Sequence, residues 1–151
     1  MAASVFPHMN ILLADDDADD RLLFEEALME VSEDARITTA RNGEQLMGIL
    51  NKTTPPPPHL IFLDLNMPLK NGFECLEELK ASKKYRSIPV VIFSTSCQKE
   101  AIDSVYNKGA DYYICKPDNF QKLKKLIHAV FSIHPIDTSS RPSRENFLLS
   151  A

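Results

Sequence analysis

Apolar positions follow two rhythms along this chain. Residues 11–14, 60–63, 90–93 and 112–115 are short unbroken apolar runs, as expected of strands covered on both faces. A β-branched stretch at 37–40, stopped by Asn42-Gly43, reads as one more strand. Between the runs, apolar residues fall at helical spacing. The first helix carries Leu23, Ala27 and Val31 with Phe24 and Leu28, and the second carries Leu46, Ile49 and Leu50. Phe73, Leu76 and Leu79 mark a third, Ala101, Ile102 and Val105 a fourth, and Phe120, Leu123, Ile127 and Val130 a fifth. Five strands alternating with five helices predict right-handed crossovers and an α/β fold, a parallel sheet with helices on both sides. Residues 52–58 carry four prolines, which remove donors and fix φ, so they read as a loop.

The ends of the four apolar runs matter most. The first ends on Asp15-Asp16, the second on Asp64, the third on Ser94 and the fourth on Lys116. In an open parallel sheet these groups meet at the carboxyl edge, where ligands of such sheets bind. Asp17 suits an N-cap, and Asp19 and Asp20 suit the first helical turn, so capping and the helix dipole account for these three. Asp15 and Asp16 follow directly from a buried strand, and Asp64 ends another, where an unpaired carboxylate is costly. Three carboxylates brought together repel unless a cation joins them. Mg²⁺ suits that role, because it takes oxygen ligands and commonly pairs one or two carboxylates with a phosphate. Lys116 supplies a compact second positive charge, and Ser94 a hydroxyl. Such a set is able to accept a phosphoryl group on a carboxylate.

Composition narrows the classes. The 151 residues fit one domain, with 44% hydrophobic and 25% charged residues, as in ordinary globular proteins. A net charge of -4, with no Lys/Arg cluster on one helical face, argues against a nucleic-acid surface. No apolar run reaches the roughly 20 residues that span a bilayer, and no signal peptide is visible. Cys75, Cys97 and Cys115 show no ligand spacing and read as reduced thiols of a cytoplasmic protein. His8, His59, His128 and His134 form no metal box and read as neutral surface groups. The expected division is an N-terminal extension over residues 1–9, a folded unit over 10–133 and a flexible tail over 134–151. The tail is Ser/Pro/Arg-rich, yet Phe147-Leu148-Leu149 form an apolar cluster in it, either part of a frayed terminus or a docking segment.

Four motifs carry a family resemblance across residues 10–131. They are Ile11-Leu12-Leu13-Ala14-Asp15-Asp16-Asp17, Leu63-Asp64-Leu65-Asn66-Met67-Pro68-Leu69-Lys70-Asn71-Gly72, Pro89-Val90-Val91-Ile92-Phe93-Ser94-Thr95-Ser96, and Gly109-Ala110-Asp111-Tyr112-Tyr113-Ile114-Cys115-Lys116-Pro117. In this order and spacing the chain resembles the receiver domain of two-component response regulators. Among these it looks most like the stand-alone chemotaxis-type and phytochrome-associated kinds.

The resemblance implies a flavodoxin-like (βα)₅ fold with strand order 2-1-3-4-5. It implies that Asp64 is the phosphoacceptor, and that Asp15, Asp16, Asp64 and the backbone carbonyl of Asn66 hold Mg²⁺. Ser94 and Tyr113 would act as the switch, Lys116 would neutralise the phosphoryl group, and the bond from Lys116 to Pro117 would be cis. Asn66, Thr95 and Ser96 would tune dephosphorylation. Ser94 stands where Thr is more frequent, and Thr95 where Ala or Gly is common, which would tighten access. The implied partners are a histidine kinase or phosphotransfer protein and a downstream protein target. A homodimer would form through the face of the fourth helix, last strand and fifth helix. No nucleic acid, membrane or enzyme role is implied. Three rivals fare worse. A pseudo-receiver that is never phosphorylated does not need the complete set of acids, hydroxyl and Lys. A haloacid-dehalogenase-type phosphatase needs an acid where Asn66 stands. A flavin carrier needs a phosphate loop where Asp15, Asp16, Asp17, Asp19 and Asp20 would repel it.

Overall fold

The computed structural model describes residues 6–52 and 57–150. The elements run β1 (Asn10–Ala14), α1 (Ala18–Val31), β2 (Arg36–Ala40), α2 (Gly43–Lys52), β3 (Leu60–Leu63) and α3 (Gly72–Ala81). They continue with β4 (Val90–Ser94), α4 (Lys99–Asn107), β5 (Tyr112–Cys115), α5 (Phe120–Ile133), α6 (Arg144–Phe147) and β6 (Leu148–Leu149). All strands are parallel, in the order β2-β1-β3-β4-β5-β6. The five expected strands therefore stand in the flavodoxin-like order, with a sixth added beside β5. Part of the proline loop, residues 53–56, and part of the N-terminal extension, residues 1–5, lie outside the described residues.

Side chains of the central strands alternate between two cores, because successive residues of a strand point to opposite faces. Leu12, Leu63, Ile92 and Tyr113 pack with Leu46, Leu76 and Ile102 of α2, α3 and α4. Leu13, Phe62, Phe93 and Ile114 pack with Phe24, Leu28 and Ile127 of α1 and α5. Burial of each such apolar side chain contributes roughly 1.5–3 kcal/mol. The rule has its limit in α1: Leu23, expected in its buried stripe, is 45% exposed, because the stripe centres on Phe24, Ala27 and Leu28. From the N-terminal extension, Phe6 sets its ring edge-on to Phe131, and Met9 is buried. His59 is more than a surface group, since its Nδ1 accepts the N–H of Asn10 at 2.8 Å.

Local signals fix the element ends. Asp17 caps α1 by accepting the N–H groups of Asp19 and Asp20. Asn71 and Glu74 form a reciprocal capping box at α3. Gly72 opens α3 pressed against the chain after β3. A Cβ there would lie 2.7 Å from the Cα of Leu65 and closer still to the carbonyl of Asp64. Gly109 ends the α4 turn with φ of 102°. Asp111, buried, accepts the N–H of Val90 at 2.8 Å and pairs with Lys80 at 3.1 Å, which fixes the start of β5 against β4 and α3.

The segment expected to be a flexible tail contributes α6 and β6. Phe147 is fully buried, its ring 5.0 Å from that of Tyr106 and 6.1 Å from that of Tyr113. Arg144 pairs with Asp103 of α4 at 2.6 Å. The Arg141 guanidinium lies 4.2 Å over the Tyr106 ring and donates to the Ala110 carbonyl at 3.0 Å. Leu148 and Leu149 then pair with Tyr113 and Ile114. Two residues are too few for a strand rhythm to show in sequence, which is why only the apolar cluster was visible there.

Candidate functional site

The sheet register brings the carboxylates together. Ala14 pairs with Leu63, so Asp15 and Asp64 leave neighbouring strands side by side. Their own N–H groups continue the ladder, Asp15 to the Ala40 carbonyl and Asp64 to the Ala14 carbonyl, both at 2.9 Å. Asp15 and Asp64 are buried and Asp16 is exposed, and one ligand oxygen from each lies within 4.8 Å of the others. Asp15 Oδ1 accepts the N–H of Asp17 at 3.0 Å, and Asp64 Oδ1 that of Leu65 at 2.8 Å. The second oxygens of both face Lys116.

Lys116 extends from the end of β5 across the edge. Its Nζ lies 2.7 Å from Asp15 Oδ2, 2.8 Å from Asp20 Oδ2 and 3.3 Å from Asp64 Oδ2. Burial opposes the ammonium charge, but the carboxylates of Asp15 and Asp20 outweigh it and hold its pKa above the ordinary value. Asp15 moves the other way. Burial pushes it up to about 6, against the pull of Lys116 and of the Asp17 N–H, with the charge of Asp64 adding to the rise. Asp15 Oδ2 is buried, with the Lys116 ammonium 2.7 Å away as its partner. Its neutralisation rests on the ammonium alone. Three carboxylates gathered against a single ammonium, all offering oxygen ligands, fit a hard divalent cation.

The opposite wall is made of β4, β5 and the loop after β4. Ser94 and Tyr113 are both fully buried. Ser94 Oγ accepts the N–H of Ser96 at 3.1 Å, and the Tyr113 hydroxyl donates to the Ser96 carbonyl. Burial holds the Tyr113 phenol above its ordinary pKa, so it stays a donor. Asn66 Nδ2 donates to Ser96 Oγ at 2.9 Å, tying the loop after β3 to the loop after β4. Thr95 is exposed beside them. Ser94, Tyr113, Asn66 and Ser96 are thus linked around the loop after β4.

Three points differ from expectation. The Lys116–Pro117 bond is not cis. Among the described residues the cis bond is His134–Pro135. Trans is the lower-energy isomer of any X–Pro bond by about 0.5–1 kcal/mol, and Lys116 reaches its carboxylates without the exception. Cys97 and Cys115, expected as reduced thiols, form a disulfide, with Cα atoms 5.7 Å apart. Eighteen residues separate them in sequence, and only the β4–β5 pairing brings them together. Asp20 was assigned to the helix dipole, yet its carboxylate is a Lys116 partner. The available signal was its place in the first turn of a helix that starts at the same sheet edge.

Beside the site, Asp20, Leu23, Phe93, Pro117, Phe120 and Leu123 line a groove between α1 and the start of α5. Leu22 and Leu23 stand exposed along α1.

Comparison with known proteins agrees with this picture. Response regulator Rcp1 of Synechocystis is 32% identical over 130 residues, covering 83% of this chain and 88% of that protein. The structure of the phosphorylated cyanobacterial phytochrome response regulator RcpA superposes with a TM-score of 0.77 at 32% identity, covering 91% of this chain and 100% of the other. The Mn²⁺-bound form of Rcp1 gives a TM-score of 0.73 at 31% identity, covering 89% and 99%. The family described as "Response regulator receiver domain" matches residues 11–128. With that match spanning most of its length, the chain belongs to the response regulator receiver domain family.

Proposed function

We propose that this receiver accepts a phosphoryl group on Asp64 from a histidine kinase or phosphotransfer protein, in a Mg²⁺-dependent reaction, and signals by protein contact in the cytoplasm. The observation that carries the reading is the position of the Lys116 ammonium, 2.7 Å from Asp15 and 3.3 Å from Asp64, at the edge where Asp15, Asp16 and Asp64 cluster.

In this reading Asp15, Asp16, Asp64 and the Asn66 carbonyl hold the cation. When bound, Mg²⁺ supplies positive charge that offsets the phosphoryl oxygens. An oxygen of Asp64 attacks phosphorus, the phosphorus–nitrogen bond of the donor histidine breaks, and the electron pair stays on the imidazole. Lys116 leaves its carboxylate partners in part to neutralise the transferred group. The Ser94 hydroxyl turns from the Ser96 N–H to a phosphoryl oxygen, and Tyr113 moves with the loop. Asn66, Thr95 and Ser96, which border the edge, set how water reaches the acyl phosphate. The exposed Leu22 and Leu23 and the groove at Pro117 and Phe120 suit the incoming phosphodonor protein.

Output passes through α4, β5 and α5, with α6 and β6 seated on the first two. Tyr113 contacts Phe147, so a shift of Tyr113 reaches that seat. Target binding or homodimerisation at this face is the proposed readout.

The test uses a small phosphodonor with Mg²⁺ and intact-mass measurement. One phosphoryl group is expected on the wild type and none on Asp64→Asn. Full labelling of Asp64→Asn would move the acceptor elsewhere, and no labelling of either chain would leave a non-phosphorylated interaction module.

A further inference from the structure

We propose that Cys97 and Cys115 form a reversible thiol–disulfide site whose redox state decides whether the loop after β4 is free to respond to phosphorylation. The role given to that loop rests on the reading above, but the thiol chemistry stands without it.

The pair sits where a bond has mechanical effect. Cys97 lies in the loop between β4 and α4, three residues past Ser94, and Cys115 is the last residue of β5. In the sheet Ser94 and Cys115 are direct neighbours, and Lys116 follows immediately. With thiols reduced, the loop is held to β5 by the hydrogen bond from Tyr113 to the Ser96 carbonyl, and to its own strand by the one from Ser96 N–H to Ser94. Both involve the groups assigned to the switch, so both can exchange when the switch moves. A covalent tether one residue beyond Ser96 cannot. Oxidation therefore pins the loop to the strand that carries Tyr113 and Lys116, in the arrangement described here.

Access and selectivity are also built in. Cys97 is exposed and Cys115 half-buried, so an exchanging thiolate reaches the Cys97 sulfur. Cys75 is fully buried, and burial pushes its thiol up to about 11, which keeps it out of exchange. The partner class is a low-molecular-weight or protein disulfide. The Cys97 thiolate attacks one of its sulfurs, that S–S bond breaks, and one thiol leaves with the electron pair and takes a proton. The Cys115 thiolate then attacks the Cys97 sulfur and releases the second thiol. Two protein thiols are oxidised and one partner disulfide is reduced to two thiols. A dithiol reductant reverses the sequence. In a reducing compartment, a bridge of this kind acts as a sensor rather than a staple.

The test uses the full chain and oxidised glutathione as the probe. After oxidation and non-reducing digestion, a peptide joining Cys97 to Cys115 is expected in wild type and absent from Cys97→Ser and Cys115→Ser. Reduced and oxidised chains are then treated with phosphodonor and Mg²⁺ and followed by amide NMR. Shifts at Ser96, Gln98 and Tyr113 are expected in the reduced chain and in both Ser variants, and their loss in the oxidised chain, with dithiothreitol restoring them. No joined peptide would overturn the site. A joined peptide with equal shifts in both states would overturn the gating. Absence of Asp64 labelling in both redox states would instead fail the phosphoacceptor reading, leaving the joined peptide to decide the thiol site.

Discussion

Asp15 and Lys116 form a buried pair in which each partner depends on the other. Folding raises the Asp15 carboxyl from 3.8 to about 6, with burial as the main cause. Between those values the folded chain keeps a proton that the unfolded chain has released. Stability in chelator therefore falls as pH rises through that window and levels above about 6. The raised Lys116 contributes stability that is fully present there and is lost as pH rises from the ordinary 10.5 through its folded pKa. Urea midpoints across the window should show the fall in wild type relative to Asp15→Asn, and parallel curves for the two chains would contradict it. Lys116→Ala leaves three carboxylates without their ammonium, at a cost of about 3–5 kcal/mol in chelator. Mg²⁺ or Mn²⁺ should recover much of that loss in the same urea experiment, whereas equal midpoints with and without cation would argue against a metal at this edge. Residue types were legible at this scale because strand ends expose chemistry. The role of Asp20 was not, because a first-turn acid has the same sequence signature whether it serves a dipole or a lysine.

Among the elements, the tail pieces α6 and β6 hold on through a few anchors: Phe147, Arg141, Arg144 and a two-residue ladder. Phe147→Ala removes the only fully buried side chain of α6. A core Phe→Ala change costs about 3–5 kcal/mol, but a short segment detaches locally before the whole fold opens. The expected result is fast hydrogen exchange at Leu148 and Leu149 with a loss of global stability smaller than that range. A full core-sized loss would make the tail part of the cooperative unit. The ten elements before the tail were legible because each carries its own period or cap, such as Asp17 for α1. Contacts between distant segments, such as Cys97 with Cys115 or Phe147 with Tyr113, have no local signature, and only the sheet register creates them.

Across the whole molecule, the docked tail covers the β5 edge and the rings of Tyr106 and Tyr113. Deleting residues 139–151 should leave Asp64 labelling and metal binding unchanged, since no site residue lies there. It uncovers a strand edge and aromatic surface, so sedimentation should show increased self-association. Unchanged sedimentation would mean that the edge is protected by other means. Gly72 has a different consequence. Its Cα sits so close to Asp64 and Leu65 that any side chain displaces the acceptor's own backbone. In a saturation-mutagenesis map, the column for Gly72 should be as blank as the column for Asp64, although glycine has no chemistry to lose. Sensitivity at that position would report lack of space, and a reader of the map who ranked residues by intolerance alone would mistake a spacer for a reactant.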